Sequence, residues 1–423
     1  MAKATDVFTP TDMPTITYVD RASKNYEDQL RKAFAIPKMI VSVSGPSKSG
    51  KTVLVRKVVG VDNLIHLYGA SIKTPDDLWR NVITWMGGPI EVTETKGSNF
   101  GVDASVNAEG QAGLPFIAEA KAGGKVGVAR STTNSTAKKF ATTTLDDVVR
   151  EIGGSDYVVF VDDFHYIEKS VREEIGKQIK AAAEKGVRVC TASVPHRADD
   201  VVRSNTELRG RVTAIDMSYW ADDELELIAY RGFQELNIEF APTVLRALAV
   251  EACGSPQLMQ AICLNVCFEM EIEDTAPTDQ RMEIDTNGIR LVLERTSVTS
   301  DFTTMLNSLH SGPKQRGTER KQFQFVDGTS GDVYRCVLLA LKSDPAILSF
   351  PYDEMLKRTR QICKGDSPVG SSVSESLLQM HKLANAIQST PVIEWDEDVL
   401  DVVEPYFLFF LRCSPALERL AKK

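Results

Sequence analysis

Short apolar runs alternate with helical patterns along the first half of the chain. Strands are predicted at 39–43, 157–161 and 187–194, and the run 157–161 is unbroken and rich in β-branched side chains. Runs of this kind are typical of strands buried on both faces of a parallel sheet. A further strand is predicted at 63–68, and helices are predicted at 52–59, 74–86, 144–152 and 169–185. The alternation predicts an α/β fold, with a parallel sheet covered by helices.

A glycine-rich segment follows the first run and fits the phosphate-loop motif G-x-x-x-x-G-K-[ST]. It consists of Gly45, Pro46, Ser47, Lys48, Ser49, Gly50, Lys51 and Thr52. The glycines allow a tight turn whose backbone N–H groups cradle phosphate oxygens. Lys51 is expected to reach the β- and γ-phosphates, and Thr52 to bind Mg²⁺. Val53 continues the helix whose N-terminal dipole faces the anion. We therefore predict ATP and Mg²⁺ as ligands.

The apolar run 157–161 ends in two aspartates, about 110 residues after the phosphate loop. At that place Asp162 is expected to hold Mg²⁺, partly through water. Asp163 is the candidate for positioning or activating the attacking water. An Asp-Asp pair by itself also fits a helix cap or a turn. Its position at the end of a buried strand favours the metal site.

Two further candidates follow the strand predicted at 187–194. Ser193, or Thr191, is placed to sense the γ-phosphate, although an ordinary strand-end turn explains it equally well. Arg211, and less so Arg209, is a candidate arginine finger acting on a neighbouring subunit, because guanidinium binds phosphate in a bidentate manner. The alternative for either arginine is a surface ion pair.

The pattern divides the chain into four parts. Residues 1–38 form an entry segment and helix, 39–220 the nucleotide-binding domain, 221–284 a helical lid, and 285–423 a C-terminal domain. Helices near 332–341, 352–363 and 374–387, followed by a strand at 392–395 and an apolar segment at 406–411, predict a winged-helix-like domain. The segment 406–411 fits either a strand or a final packed element.

Residues 88–141 do not fit the basic α/β pattern. Alternating small and apolar residues, with Gly123 and Gly124 at a turn, predict a β-rich insert. A flexible surface loop and a hairpin arm that contacts a partner are equally good interpretations. A membrane-inserting hairpin is the weakest, because the alternating faces are only weakly apolar.

The composition narrows the classes of partner. The net charge is −9 and the pI about 5.3, so no overall positive field attracts nucleic acid. DNA binding is possible but not favoured, and would use Lys357, Arg358, Arg360 and the 314–321 cluster on phosphates. The seven cysteines are scattered, which favours reduced, buried thiols. No signal peptide or membrane span is predicted, and we expect a cytoplasmic protein.

Several of these segments together resemble the AAA+/STAND group of P-loop ATPases. They are Tyr18-Val19-Asp20-Arg21, the phosphate loop, Val161-Asp162-Asp163, Ser193, Arg211 and Gly254-Ser255-Pro256, and they cover about residues 15 to 270. The resemblance, to initiator-like and transposition-type AAA+ ATPases and to bacterial STAND switches, implies an oligomer. It also implies that Tyr18, Val19 and Arg21 lie near the adenine, and that Pro256 contacts the nucleotide from the lid.

Two departures from the AAA+ pattern change the expected activity. Typical AAA+ motors carry Asp-Glu where this chain has Asp162-Asp163, and residues 254–260 lack the arginine of the usual lid sensor. Both favour a slow switch over a fast motor. The sequence thus predicts an ATP- and Mg²⁺-dependent, homo-oligomerising switch with a separate protein partner or effector, as in some bacterial anti-phage defence systems. The alternatives are a DNA-loading ATPase that grips duplex through the winged helix, and a nucleotide-binding module without turnover.

Overall fold

The computed structural model describes residues 1–87, 144–194, 208, 210–314, 319–387, 392–396 and 398–421. The predicted β-rich insert and Arg209 lie outside these ranges. Within them, no helix is both long and apolar enough to traverse a bilayer.

A five-stranded parallel sheet forms the centre of the predicted nucleotide-binding domain. Its strands are β1 (Ile40–Ser44), β2 (Leu64–Tyr68), β3 (Val158–Asp162), β4 (Arg188–Ser193) and β5 (Val212–Asp216). They pair in the order β2-β3-β4-β1-β5, and every pairing is parallel. All five residues of β1 and of β3 are buried. The predicted parallel sheet is confirmed.

Helices cover both faces of this sheet because strand side chains alternate between the faces. Val41 and Val43 pack with α2 (Tyr26–Ala35) and α3 (Lys51–Val59) on one face. Ile40 belongs to the core on the other face, which is formed with α4 (Pro75–Trp85), α5 (Thr144–Ile152) and α6 (Lys169–Glu184). Short 3-10 turns lie at Val61–Asn63, Gly69–Ser71 and Phe164–Tyr166. The parallel strands all end at the same edge, which carries the phosphate loop.

The lid consists of three helices, and the first residues of the chain pack against them. The helices are α7 (Asp222–Glu235), α8 (Pro242–Glu251) and α9 (Pro256–Glu269), and β6 (Ile238–Glu239) pairs with β7 (Gln280–Arg281). The short helix α1 (Ala4–Val7) docks on them: Ala4 N–H donates to the Glu273 carbonyl at 2.8 Å, and the Phe8 ring meets Phe233 edge-on at 5.0 Å. The N-terminal segment is therefore part of the lid core.

The C-terminal part has a winged-helix-like arrangement, preceded by α10 (Thr286–Val298), α11 (Thr303–Ser311) and the hairpin β8 (Phe323–Gln324) and β9 (Ser330–Gly331). Its elements are α12 (Val333–Lys342), β10 (Ser349–Pro351), α13 (Tyr352–Ile362), α14 (Gly370–Ile387), β11 (Ile393–Asp396), β12 (Val399–Val402), α15 (Pro405–Cys413) and α16 (Ala416–Ala421). The strands form an antiparallel sheet in the order β10-β12-β11. The apolar segment 406–411 is helical: Pro405 starts α15, and most of its side chains are buried.

The lid and the C-terminal part share one continuous hydrophobic core. The Arg412 guanidinium of α15 binds both carboxylate oxygens of Glu251 in α8, at 2.8 and 2.9 Å. The two parts are therefore in firm contact, and both reach the edge of the sheet that carries the phosphate loop.

Candidate functional site

A cleft of about 720 Å³ lies at the carboxyl edge of the parallel sheet. Its walls come from the phosphate loop, the ends of β2 and β3, the N-terminal segment, the lid and the C-terminal part. Ligands of open parallel sheets bind at this edge. The cleft is therefore the candidate nucleotide site.

Two glycines shape the phosphate loop. Gly50 has a φ of +94°, a left-handed conformation that side-chain-bearing residues rarely adopt. Gly45 has no space for a side chain, since a Cβ there would lie 2.8 Å from the Met217 Cβ. Lys48 is also left-handed, with φ +60°. The loop then enters α3, whose N-terminal dipole and free N–H groups attract an anion.

The Lys51 side chain is buried within the phosphate loop. Its Nζ donates to the carbonyl oxygens of Gly45 and Pro46, both at 2.8 Å, and only 7% of the residue is exposed. Burial lowers the pKa of Lys51 to about 8, against the opposing charges of Asp162 and Asp163. An incoming phosphate offers this ammonium a stronger acceptor than a neutral carbonyl does.

Thr52 and Asp162 lie side by side. The Thr52 Oγ1 donates to Asp162 Oδ2 at 2.5 Å. Burial alone would raise the pKa of Asp162, but hydrogen bonds from His66 and Thr52 and the charge of Lys51 hold it below its ordinary value. Asp162 is therefore ionised at neutral pH, as a ligand of a hard cation must be.

Asp163 follows β3 in a left-handed conformation, with φ +51°. Burial, and then the charge of Asp162, raise the pKa of Asp163 above its ordinary value. The two carboxylates thus differ in proton affinity. The more basic one suits a group that accepts a proton from water.

The residues present fit a nucleotide with Mg²⁺. The Ser49 Oγ of the phosphate loop is buried and has no hydrogen-bond partner in the described structure. Among the described residues, no group of three or more His, Cys, Asp or Glu side chains could hold a metal by itself. Thr52 and Asp162 can supply two ligands, which suits Mg²⁺ bound mainly by phosphate oxygens and water.

The residues expected near the base also reach the cleft. Tyr18, Val19, Arg21 and Pro256 all line it. Tyr18 OH donates to Glu27 at 2.8 Å, Val19 is buried, and Pro256 begins α9. The N-terminal segment and the lid thus meet at one wall of the cleft.

Arg21 connects three segments rather than facing open solvent. Its guanidinium donates to the carbonyl oxygens of Ser218 and Tyr219, both at 2.9 Å, and pairs with Glu224 of α7 at 2.9 Å. It also lies over the Trp220 ring at 4.9 Å. These contacts hold the N-terminal segment against residues 218–220, which lead into the first helix of the lid.

Ser193 and Arg211 lie away from the cleft lining. The Ser193 carbonyl accepts the Gly45 N–H at 3.2 Å, but the cleft is lined by the next residue, Val194. Arg211 is at the start of β5, where its carbonyl accepts the Ile40 N–H, and its guanidinium pairs with Glu184. That end of the sheet is opposite the phosphate loop, so Arg211 does not join the site of its own chain.

The structure brings three residues to the site that the sequence did not indicate. Glu404, the N-cap of α15, accepts a hydrogen bond from Ser47 Oγ at 3.1 Å. Trp220 Nε1 donates to the Ser49 carbonyl at 2.9 Å. His66 bonds Asp162 from β2. Of the three, only His66 could have been found from the sequence, as a polar residue in the strand that precedes the one ending in Asp162. Glu404 lies 357 residues from its partner Ser47, so no local pattern indicates it.

Comparisons with known proteins add context to this geometry. No protein-family model matches the chain, and no curated protein matches it. Matching solved structures include Cdc6p from Pyrobaculum aerophilum (10% identity, TM-score 0.44, both chains covered in full). The Walker-type ATPase of Pyrococcus abyssi is 12% identical with TM-score 0.49, covering 93% of this chain and 95% of that one. The ORC2 protein of Aeropyrum pernix, solved with ADPNP and ADP, is 11% identical with TM-score 0.48, covering 99% and 98%.

The strand order itself describes the fold. The phosphate loop follows the fourth strand in space, β1, and the aspartate pair follows the second, β3, within the order β2-β3-β4-β1-β5. A helical lid and a winged-helix-like part come after it. The described part of the chain therefore has a P-loop type of parallel α/β fold.

Proposed function

We propose that this protein is an ATP- and Mg²⁺-dependent molecular switch that assembles into oligomers and is reset by slow hydrolysis. The observation that carries the proposal is the contact of the C-terminal Glu404 with Ser47 of the phosphate loop. With it, the N-terminal segment, the phosphate loop, the lid and the C-terminal part, as far as the structure describes them, all border one cleft. A nucleotide bound there touches the lid, the N-terminal segment and the C-terminal part together.

Each residue of the site has a separate task in this proposal. The phosphate-loop N–H groups and Lys51 bind the phosphate charge, and Thr52 and Asp162 hold Mg²⁺, which neutralises charge on the transferred phosphoryl group. Asp163 orients a water molecule and accepts its proton. Burial raises the pKa of Asp163, which makes it a better proton acceptor than an ordinary carboxylate.

Glu404 gives the switch its sensitivity to nucleotide. Burial raises the pKa of Glu404, while the charges of Lys48 and Lys51 oppose that rise. Its carboxylate faces the cations that bind phosphate, so a triphosphate brings like charge against it. Nucleotide then favours a conformation in which Glu404 has left Ser47 and the C-terminal part has moved. A ligand shifts the equilibrium only by its difference in affinity for the two conformations.

Removal of the Glu404 charge tests the proposal. Glu404→Gln keeps a hydrogen-bonding group but removes the repulsion, so we expect it to bind ATP several-fold more tightly and to assemble at lower ATP concentration. Titration with a fluorescent ATP analogue and mass photometry measure the two effects. Glu375→Gln, an exposed change on α14, is the matched control and should behave as the unchanged protein. A protein that binds no nucleotide, or whose assembly ignores nucleotide, contradicts the proposal.

A role as the regulatory ATPase of a bacterial defence or similar multi-protein system is the finer form of this proposal. It is supported by the resemblance of the sequence to STAND switches. The site described above contains chemistry for phosphate bonds, so the proposal assigns any further effector activity to a partner protein. Nucleotide-dependent capture of a protein encoded beside this chain would test the role.

The alternative function is DNA loading, and the winged-helix-like topology favours it. The charges of that region do not favour DNA binding. Arg358, predicted as a phosphate contact, is 1% exposed and donates to Glu354 and to the carbonyls of Ser343 and Pro345; that prediction is wrong. Lys357 and Arg360 are exposed. Assembly only on duplex DNA, lost in the Lys357→Ala and Arg360→Ala double variant, would select the alternative.

A further inference from the structure

We propose that His66 is a positioning residue for the Mg²⁺ ligand Asp162, and that Arg56 holds His66 in the one tautomer that can do this. The inference rests on the proposed nucleotide site and adds a second layer of residues to it. Residues that orient a ligand are often as important to metal affinity as the ligand itself.

Hydrogen-bond geometry determines where the imidazole proton lies. Arg56 Nη2 is 3.1 Å from His66 Nδ1, and His66 Nε2 is 3.3 Å from Asp162 Oδ2. A guanidinium can only donate, so Nδ1 must be the acceptor and carries no proton. The other ring nitrogen, Nε2, is therefore the donor, and its proton points at the Asp162 carboxylate.

Packing keeps the ring in this orientation. His66 stacks on Phe160 with centroids 5.1 Å apart and an interplanar angle of 26°, and its centroid lies 4.6 Å from that of Tyr68. The His66 side chain is 13% exposed. A 180° ring flip would place Cδ2–H against Arg56 and Cε1–H against Asp162, so both hydrogen bonds would be lost.

The carboxylate of Asp162 is thereby fixed at both oxygens. Oδ2 accepts from Thr52 at 2.5 Å and from His66, and Oδ1 accepts the Asp163 N–H at 3.0 Å. If the Thr52 hydroxyl bound a metal ion instead, His66 would be the donor that still holds Oδ2. The Asp162 carboxylate would then keep its orientation.

The same helix supplies the metal ligand and the residue that sets the tautomer. Thr52 and Arg56 are four residues apart on α3 and so share a face. A shift of α3 that moves Thr52 therefore moves Arg56 as well. The state of the phosphate loop is transmitted to the carboxylate of β3 through a ring on β2.

Three variants and two measurements test this inference. His66→Gln keeps a donor near the Nε2 position, His66→Leu removes it, and Arg56→Met removes the tautomer lock; Arg80→Met, at an exposed site, is the control. The first measurement is the imidazole ¹⁵N NMR spectrum of the ligand-free protein, which has five histidines. The signal that His66→Gln deletes should show a proton on Nε2 and none on Nδ1, and should become a mixture of both positions in Arg56→Met.

The second measurement is Mn²⁺ affinity in the presence of ADP, by electron paramagnetic resonance. We expect His66→Leu to weaken it about tenfold or more, His66→Gln to stay near the unchanged protein, and metal-free ADP affinity to be unaffected in both. A merely structural role would lower stability without separating metal affinity from nucleotide affinity. A ring protonated at Nδ1, or unchanged Mn²⁺ affinity in His66→Leu, overturns the inference. Failure of the unchanged protein to bind ADP would instead refute the proposed function, since the NMR result needs no nucleotide.

Discussion

At the scale of single residues, the phosphate-loop lysine has an unusual resting position. Lys51 is enclosed by two carbonyl oxygens and little water, so its charge is costly in the free protein. Binding of phosphate changes the balance in favour of the charged form. Nucleotide affinity and protein stability should therefore depend on pH in opposite directions.

The Lys51 pKa of about 8 sets the pH range over which this effect should appear. We expect ADP affinity to fall about tenfold between about pH 7 and pH 9, as the free lysine loses its proton. The folded pKa lies below the ordinary value of 10.5, so the unfolded chain binds more protons and the free energy of unfolding rises over about pH 8 to 10. Isothermal titration and urea unfolding measure the two trends. Lys51→Met should lack this contribution to stability, and equal ADP affinity at both pH values would contradict the assignment.

Asp163 is the second residue with a definite expected effect. Asp163→Asn removes the proton acceptor while leaving Asp162, Lys51 and the loop in place, so ATP binding should persist and phosphate release should fall about a hundredfold or more. Asp156→Asn, an exposed change in the loop before β3, is the control. Undiminished phosphate release would remove Asp163 from the reaction.

Arg21 should contribute to stability rather than to chemistry. Its side chain is 3% exposed and that of its partner Glu224 is 13% exposed. Arg21→Met leaves the mostly buried Glu224 carboxylate without its cationic partner, and we expect a loss of about 3 kcal/mol in the free energy of unfolding by urea. Arg31→Met breaks an ion pair whose arginine is 55% exposed, and should cost about 0.5 kcal/mol or less. Equal effects of the two changes would contradict the structural role.

At the scale of elements, local sequence carried most of the information for the nucleotide-binding domain. The apolar, β-rich runs located β1, β3 and β4 to within a residue or two, because strands buried on both faces are mostly apolar. The phosphate loop and the aspartates after β3 follow from motifs of fixed spacing. Contacts between distant segments have no such signature: nothing near Glu404 or Ser47 in the sequence indicates that they meet.

The turn after β2 illustrates how tightly elements are fitted around the aspartates. A Cβ on Gly69 would lie 2.3 Å from the Asp163 carbonyl oxygen. Gly69→Ala must therefore push the segment carrying Asp163, and we expect phosphate release to fall more than ATP affinity does. Ser71→Ala, an exposed change in the same turn, is the control. Parallel losses in binding and turnover would show a general distortion instead.

At the scale of the whole molecule, the placement of Arg211 separates it from its own nucleotide site. It remains a candidate finger for a neighbouring subunit. Arg211→Ala should then lower hydrolysis only in assemblies, and mixing it with Lys51→Ala protein should restore activity, because each supplies what the other lacks. Arg188→Ala, at the start of β4 on the same edge of the sheet, is the control. No recovery on mixing, in oligomers shown to contain both variants, would leave Arg211 as the partner of Glu184 alone.

The docking of the N-terminal segment on the lid has a consequence for synthesis. Phe8 emerges from the ribosome more than 200 residues before Phe233, whose ring it meets edge-on, and Ala4 still longer before Glu273. At about 5 to 20 residues per second, the apolar side chains of α1 wait on the order of 10 to 50 s for their partners. The nucleotide-binding domain is translated during that interval. Nascent chains should therefore expose this segment to chaperones until the lid is complete.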